Sequence, residues 1–167
     1  MPHRPTPLPI SATVEVAAAP EAVWAVVSDL TRMPEFSPEL RRLHAVGGGP
    51  ARVGLRLVGI NRRGLAVWPT VSTVTRLEEG RAVAWRTRES GATWTYELEP
   101  TAAGTRLTGR RDLPRFTLGT TLLAPVIGGA EGHDRELAAG IEATLERIRA
   151  VVESAPTGPG RTAALRS

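Results

Sequence analysis

Residues 81–113 read RAVAWRTRESGATWTYELEPTAAGTRLTGRRDL, and this stretch decides the fold. Apolar and polar residues alternate through Arg81–Arg88, Ala92–Glu99 and Thr105–Leu113. That is the period of a strand with one face in a core. The joints are Ser90-Gly91 and Pro100-Thr101-Ala102-Ala103-Gly104, which is turn chemistry. Joints this short admit only antiparallel neighbours, because parallel strands need a crossover of about a dozen residues or more.

The same period continues upstream. It predicts strands at Leu40–Val46, Gly54–Asn61 and Leu65–Leu77, separated by Gly47-Gly48-Gly49-Pro50, Arg62-Arg63-Gly64 and Glu78-Glu79-Gly80. Further back, Ala12, Val14 and Val16 alternate with Ser11, Thr13 and Glu15, giving a first strand over 11–16. Pro20 then suits a first helical turn, and Glu21 suits its dipole. Val23, Trp24, Val26 and Val27 make an apolar stripe that Ser28-Asp29 ends, and a second short helical turn is predicted at 31–36. Downstream, Leu137, Ile141, Leu145, Ile148 and Val152 recur every three or four residues, predicting a helix from Glu131 to Glu153.

The expected class is α+β: a curved seven-stranded antiparallel sheet wrapped on one long C-terminal helix, with two short helices after strand 1. Such a sheet closing on a single helix leaves a hollow, where a ligand pocket is expected. Residues 10–153 are expected to form one domain between disordered tails at 1–9 and 154–167, both rich in residues that bury little. The segment Pro114 to Gly129, rich in Leu, Thr and Gly, is expected to help roof the hollow.

Composition narrows the function classes. The 167 residues are 41% hydrophobic and 23% charged, which is a globular balance. The absence of cysteine removes disulfides and thiolate chemistry and fits a cytoplasmic location. All 21 basic residues are Arg, as a GC-rich bacterial genome produces; they are dispersed and mixed with 17 acids, so nucleic-acid binding is not expected. The first ten residues lack a signal-peptide pattern, and no run reaches the ~20 apolar residues of a membrane span, so stable membrane insertion is not expected. His3, His44 and His133 show no metal-ligand spacing, and no phosphate loop, nucleophile elbow or paired-carboxylate motif is present.

Strand parity supplies the inward residues. Glu97 and Glu99 outward bring Trp94, Tyr96 and Leu98 inward; Arg86 and Arg88 outward bring Val83, Trp85 and Thr87 inward. Arg56 outward brings Leu55, Leu57, Gly59 and Asn61 inward, and Trp68, Thr70, Ser72 and Val74 are favoured inward on the next strand. The candidate ligand wall is Leu57, Asn61, Trp68, Thr70, Trp85, Trp94 and Tyr96, facing Leu137 and Ile141. Trp24 is expected in the core. Three side chains are candidates for chemistry. The Tyr96 hydroxyl suits donation to a ligand carbonyl or a proton-donor role, or else a bond to backbone or water inside the core. His133 suits acid–base work near neutral pH or a capping role, with Asp134 beside it as an alternative cap. Arg111, inward by parity with Leu107 and Gly109, suits a carboxylate or enolate oxygen unless a bulge turns it to solvent.

Several local stretches resemble one superfamily: Val14-Glu15-Val16 with Ala19-Pro20-Glu21-Ala22-Val23-Trp24 and Ser28-Asp29-Leu30; Met33-Pro34-Glu35-Phe36-Ser37-Pro38; Asn61-Arg62-Arg63-Gly64 with Trp68; Trp94 through Pro100 with Gly104-Thr105; and Thr144-Leu145-Glu146-Arg147-Ile148. In this order they resemble the polyketide cyclase/dehydrase-like branch of the START and pollen-allergen-like (SRPBCC) helix-grip proteins. The resemblance implies a hydrophobic cavity, no metal and no organic cofactor. It implies either a binder of a polyketide-, lipid- or aromatic-like molecule or a cyclase, aromatase or dehydratase using acid–base catalysis. The expected partner is a small hydrophobic ligand, and the expected state a monomer or homodimer.

Overall fold

The computed structural model describes residues 9–113 and 130–155, with side chains in the last helix from Arg135 onward. The elements are β1 (Ile10–Val16), α1 (Pro20–Val27), a 3-10 turn (Leu30–Arg32), α2 (Met33–Phe36), β2 (Leu40–Ala45), β3 (Arg56–Arg63), β4 (Ala66–Glu78), β5 (Ala82–Thr87), β6 (Thr93–Thr101), β7 (Gly104–Asp112) and α3 (Ala130–Ser154). The expected tails and the segment Pro114 to Gly129 lie outside the described residues, apart from Pro9, Ser154 and Ala155.

The sheet order is β1-β7-β6-β5-β4-β3-β2, every pair antiparallel. The first strand thus closes the far side of the meander, pairing Ile10 with Arg111 through Val16 with Thr105. Gly104 makes that corner possible. Its φ is +147°, and a Cβ there would stand 2.2 Å from the Val16 carbonyl oxygen, so only glycine fits.

Parity holds across the meander. Leu55, Leu57 and Gly59 are buried while Arg56, Val58 and Ile60 are exposed. Ser72 and Val74, Val83 and Thr87, Tyr96 and Leu98, and Leu107 and Gly109 are buried as their strands require. Two turns are shorter than expected: β6 runs through Pro100 and Thr101, paired to Thr105 and Gly104, which leaves Ala102-Ala103 as its turn. β3 continues past Asn61, with Arg62 and Arg63 paired to Val67 and Ala66, so the turn is Gly64-Leu65. Gly64 has φ +58°, and a two-residue hairpin turn demands positive φ there. Arg63 is therefore a strand residue with inward parity, not a turn residue.

α1 begins with Pro20 in its first turn and buries Val23, Val26 and Val27; it stops at Ser28, whose N–H donates to the Trp24 carbonyl at 2.9 Å. α3 buries Ile141, Leu145, Ile148 and Val152 on one stripe. Each such side chain contributes roughly 1.5–3 kcal/mol by leaving water. Gly109 lets the helix sit close: a Cβ there would lie 3.1–3.2 Å from Ile141, Leu145 and Tyr96. Two polar ties fix α3. Arg147 Nη1 donates to the Phe36 carbonyl at 2.9 Å, and the Ala17 N–H donates to the Glu153 carboxylate at 2.9 Å. Because α3 begins at Ala130, Asp134 stands inside the helix and is not its N-cap, contrary to the capping alternative.

Candidate functional site

α3 packs on β1 and β7 and against α1 and α2. The inner face of β2, β3 and β4 is left to the corner between α1 and the 3-10 turn. A hollow of about 590 Å³ opens there, lined by Trp24, Leu30, Ala45, Leu55, Leu57 and Leu77, with Ser28, Asp29, Thr31, Gly49, Pro50, Ala51 and Glu79 around it. Leu77 faces inward because the β4–β5 register shifts between Val74 and Arg76. The floor is apolar, and the rim carries oxygens. Asp29 Oδ1 accepts from the Thr31 hydroxyl at 2.6 Å. A volume of this size, mostly apolar with a few polar groups, falls in the range of small-molecule sites.

The residues singled out from parity share the same concave face but continue away from this hollow. Leu57 belongs to both. Asn61 pairs with Trp68, and Gly59 with Thr70, at the β3–β4 end; Asn61 Nδ2 donates to Thr70 Oγ1 at 3.0 Å. Trp85 pairs with Trp94, and Trp94 with Arg111. Trp68, Trp85 and Trp94 are half-buried, as lining residues are, whereas Ser72 and Thr87 are buried and bond to each other at 3.0 Å. Leu137 is half-buried and Ile141 buried against Gly109.

Tyr96 is buried, its ring 5.5 Å from that of Trp85 at 56°. Among the described residues no hydrogen bond to its hydroxyl is formed. Burial alone pushes its phenol well above the usual range. The group is neutral at every physiological pH and can donate. Arg111 keeps unbroken pairing with Trp94 and Ile10, so no bulge turns it out. Its guanidinium lies 5.6 Å from the Trp94 ring centroid, a cation–π arrangement. His133 lies within α3, one turn before Leu137, and its side chain is outside the described residues.

Sequence reasoning missed most of the hollow. Trp24 was expected in the core; it is half-buried, packs against the core and lines the hollow. Its spacing of four from Ser28 on α1, which puts both on one side of the helix, was the available signal. Ala45 pairs with Leu57, and alternation with the exposed Arg42 and His44 was its signal; Ala51 and Leu77 gave none, since their placement follows from a loop and a bulge. Among the described residues no three His, Asp or Glu side chains are grouped to hold a metal ion, and no helix is long and apolar enough to cross a membrane.

No curated protein sequence matches the chain. Among solved structures, the di-domain ARO/CYC StfQ from the steffimycin biosynthetic pathway superposes with a TM-score of 0.69 at 17% identity, over 87% of this chain and 50% of that one. This chain therefore spans about half the length of that protein. The Zhui aromatase/cyclase from Streptomyces sp. R1128 superposes with a TM-score of 0.66 at 18% identity, over 87% and 93% of the two chains. TTHA0849 from Thermus thermophilus gives 0.67 at 17% identity, over 90% and 100%. These likenesses establish the helix-grip fold. The family model described as polyketide cyclase / dehydrase and lipid transport matches residues 8–153. With its fold and most of its length in agreement, the chain belongs to the polyketide cyclase/dehydrase and lipid transport family of helix-grip proteins.

Proposed function

We propose that this chain binds a small hydrophobic molecule, polyketide-, lipid- or aromatic-like, on the concave face between sheet and helices. The observation that carries this reading is the 590 Å³ hollow over Leu55, Leu57 and Trp24. Burying an apolar molecule against such a surface is favourable by about 25 cal/mol per Å² of area removed from water. The half-buried Trp68, Trp85 and Trp94 extend the face and suit a planar ligand, since ring stacking adds to area burial. Leu57, Asn61, Thr70, Arg111, His133, Leu137 and Ile141 complete the proposed lining. Native mass spectrometry of the protein purified from its own cells, followed by solvent extraction, tests the reading. A co-purifying apolar molecule is the expected result; an empty protein that also takes up no hydrophobic probe overturns it.

Tyr96 favours a second reading, in which the same face performs cyclisation, aromatisation or dehydration of a carbonyl compound. A phenol held neutral by burial, with no hydrogen bond from a described residue, suits donation to a ligand carbonyl oxygen and so stabilises the charge that enolisation develops there. The raised pKa makes it a donor and not a base. With a substrate in hand, Tyr96→Phe should lower kcat by tenfold or more; an unchanged kcat removes Tyr96 from the chemistry.

A further inference from the structure

We propose that the convex face of the β3–β4 hairpin docks on a bilayer surface rich in anionic lipid. This face lies on the side of the sheet opposite Leu57 and the hollow, so its role is independent of the proposed ligand.

The two halves of the convex face differ. Over β1, β7 and β6 it is polar and internally satisfied. Thr13 and Thr108 share a hydrogen bond at 3.0 Å, Arg106 holds Glu15 at 2.7 Å, Arg110 holds Asp112 at 2.7 Å, and Arg76 reaches Glu97 at 2.9 Å. Over β3 and β4 it is aliphatic. Val58 and Ile60 alternate with the buried Leu57 and Gly59 and are exposed. Cross-strand pairing sets Ile60 beside Pro69 and continues the patch to Val67, which is 61% exposed. Leu65, at the hairpin tip, is 98% exposed. Singly exposed aliphatic residues are ordinary, but a contiguous patch of them marks an interaction site.

Arginines frame the patch. Register puts Arg42 next to Ile60, Arg62 next to Val67, and the row Arg56-Thr73-Arg86 next to the pair Val58 and Val71. All four arginines are exposed, and none forms an ion pair with a described residue. Arg62 Nε donates to the Gly64 carbonyl at 3.0 Å, which holds its fork beside the tip. Strands β2, β3 and β4 hold no acid before Glu78, which Arg76 takes. Glu89, beyond β5, accepts from the Val71 N–H at 2.9 Å and stands 3.9 Å from Arg88. Residues 1–8, 114–129 and 156–167 contain no Asp or Glu, so they bring no counter-charge.

This arrangement selects the occupant. Guanidinium forks match phosphate oxygens, and aliphatic side chains between them gain by entering the headgroup and acyl boundary. Such adsorption needs no membrane-spanning segment. A second copy on this face would bring arginine against arginine. Nucleic acids and protein partners are commonly gripped by aromatic anchors, and this patch holds none.

Co-sedimentation of the full chain with vesicles tests this. At low salt the wild type should partition about tenfold or more strongly onto vesicles holding a quarter phosphatidylglycerol than onto pure phosphatidylcholine, and half-molar salt should remove most of the difference. Arg56→Gln should weaken anionic-vesicle binding about fivefold. Arg106→Gln removes the same charge from the ion-paired half and should change binding by less than about twofold. Leu65→Ser combined with Val67→Ser should weaken it about tenfold at unchanged Tm. No preference for anionic vesicles, or equal losses from Arg56→Gln and Arg106→Gln, overturns the proposal. So does full vesicle binding by the doubly substituted hairpin at unchanged Tm, which leaves charge alone and the face of a nucleic-acid binder. A dimer that these substitutions dissociate, with no vesicle bound, gives the face to a second copy and overturns it too. Should the hairpin variant lose Tm, the wild-type comparison and the two arginine variants decide.

Discussion

The two arms of the sheet are filled differently. Over β1, β7 and β6, the long helix comes down so closely that Gly109 has no room for a Cβ without pressing Ile141, Leu145 and Tyr96. Over β2, β3 and β4, the cover is the corner after α1, and a hollow of about 590 Å³ remains. One helix is about 10 Å wide with its side chains and cannot cover seven strands spaced by nearly 5 Å. A glycine brings it onto one arm, and the other arm is left open. This chain is thus closely packed on one arm of the sheet and left open on the other.

This contrast can be broken most forcefully in stability. Leu145→Ala removes a side chain that is 1% exposed in the filled arm and should cost roughly 3–5 kcal/mol in urea unfolding, because nothing nearby can collapse into the gap. Leu77→Ala, at a half-buried position already facing the hollow, should cost about 1 kcal/mol, since it loses transfer energy and makes little new cavity. Equal costs would mean that the two arms are packed alike.

Filling the hollow gives the reverse pattern. Ala51 lies on the β2–β3 connection at its edge. Ala51→Trp should weaken a fluorescent naphthalene probe by tenfold or more while changing stability by about 0.5 kcal/mol or less, as substitutions outside the core do. Unchanged probe affinity would move the ligand away from α1 and toward the Trp68–Trp94 end of the face.

The smallest expected effect is electrostatic and lies on the surface. Arg32, through a bidentate bond at 2.8 and 3.0 Å, holds the Glu35 carboxyl below its ordinary value of 4.5, and Arg76 does the same to Glu78. Both carboxyls bind protons less readily in the folded chain than in the unfolded one. Their contribution is complete above pH 4.5 and is lost as the pH falls through the lowered folded values. Glu35→Gln or Glu78→Gln should slightly flatten the acid fall of Tm. Both side chains are about half exposed, so water and salt screen the pairs strongly.

Much of the fold was legible because periodicity is a local signal. Alternation over Ala92–Glu99 assigned Trp94, Tyr96 and Leu98 to one face, and short turns forced the order of neighbours. The α3 stripe was likewise readable from Leu137 to Val152. The candidate site was legible only at the level of faces. Parity put Trp68, Trp85 and Trp94 on the concave side, where the structure has them, and kept Arg111 inward. It said nothing of Ala51 and Leu77, whose approach to Trp24 depends on the loop at 47–51 and on a register shift in β4. Arg62-Arg63-Gly64 reads as a turn by composition, and only the hairpin register puts Arg62 and Arg63 in β3 and leaves Gly64-Leu65 as the turn.

The sequence by itself determined which residues alternate, where the chain turns, and which helix stripe is apolar, because each follows from contacts within a few residues. Only the tertiary structure decided where the sheet and helix touch, where they part, and which polar groups are left without partners between them. Those outcomes depend on how far β1 and β2 are carried apart by sheet curvature and on how closely α3 approaches Gly109. Both sum small displacements over the whole sheet, which no local pattern encodes.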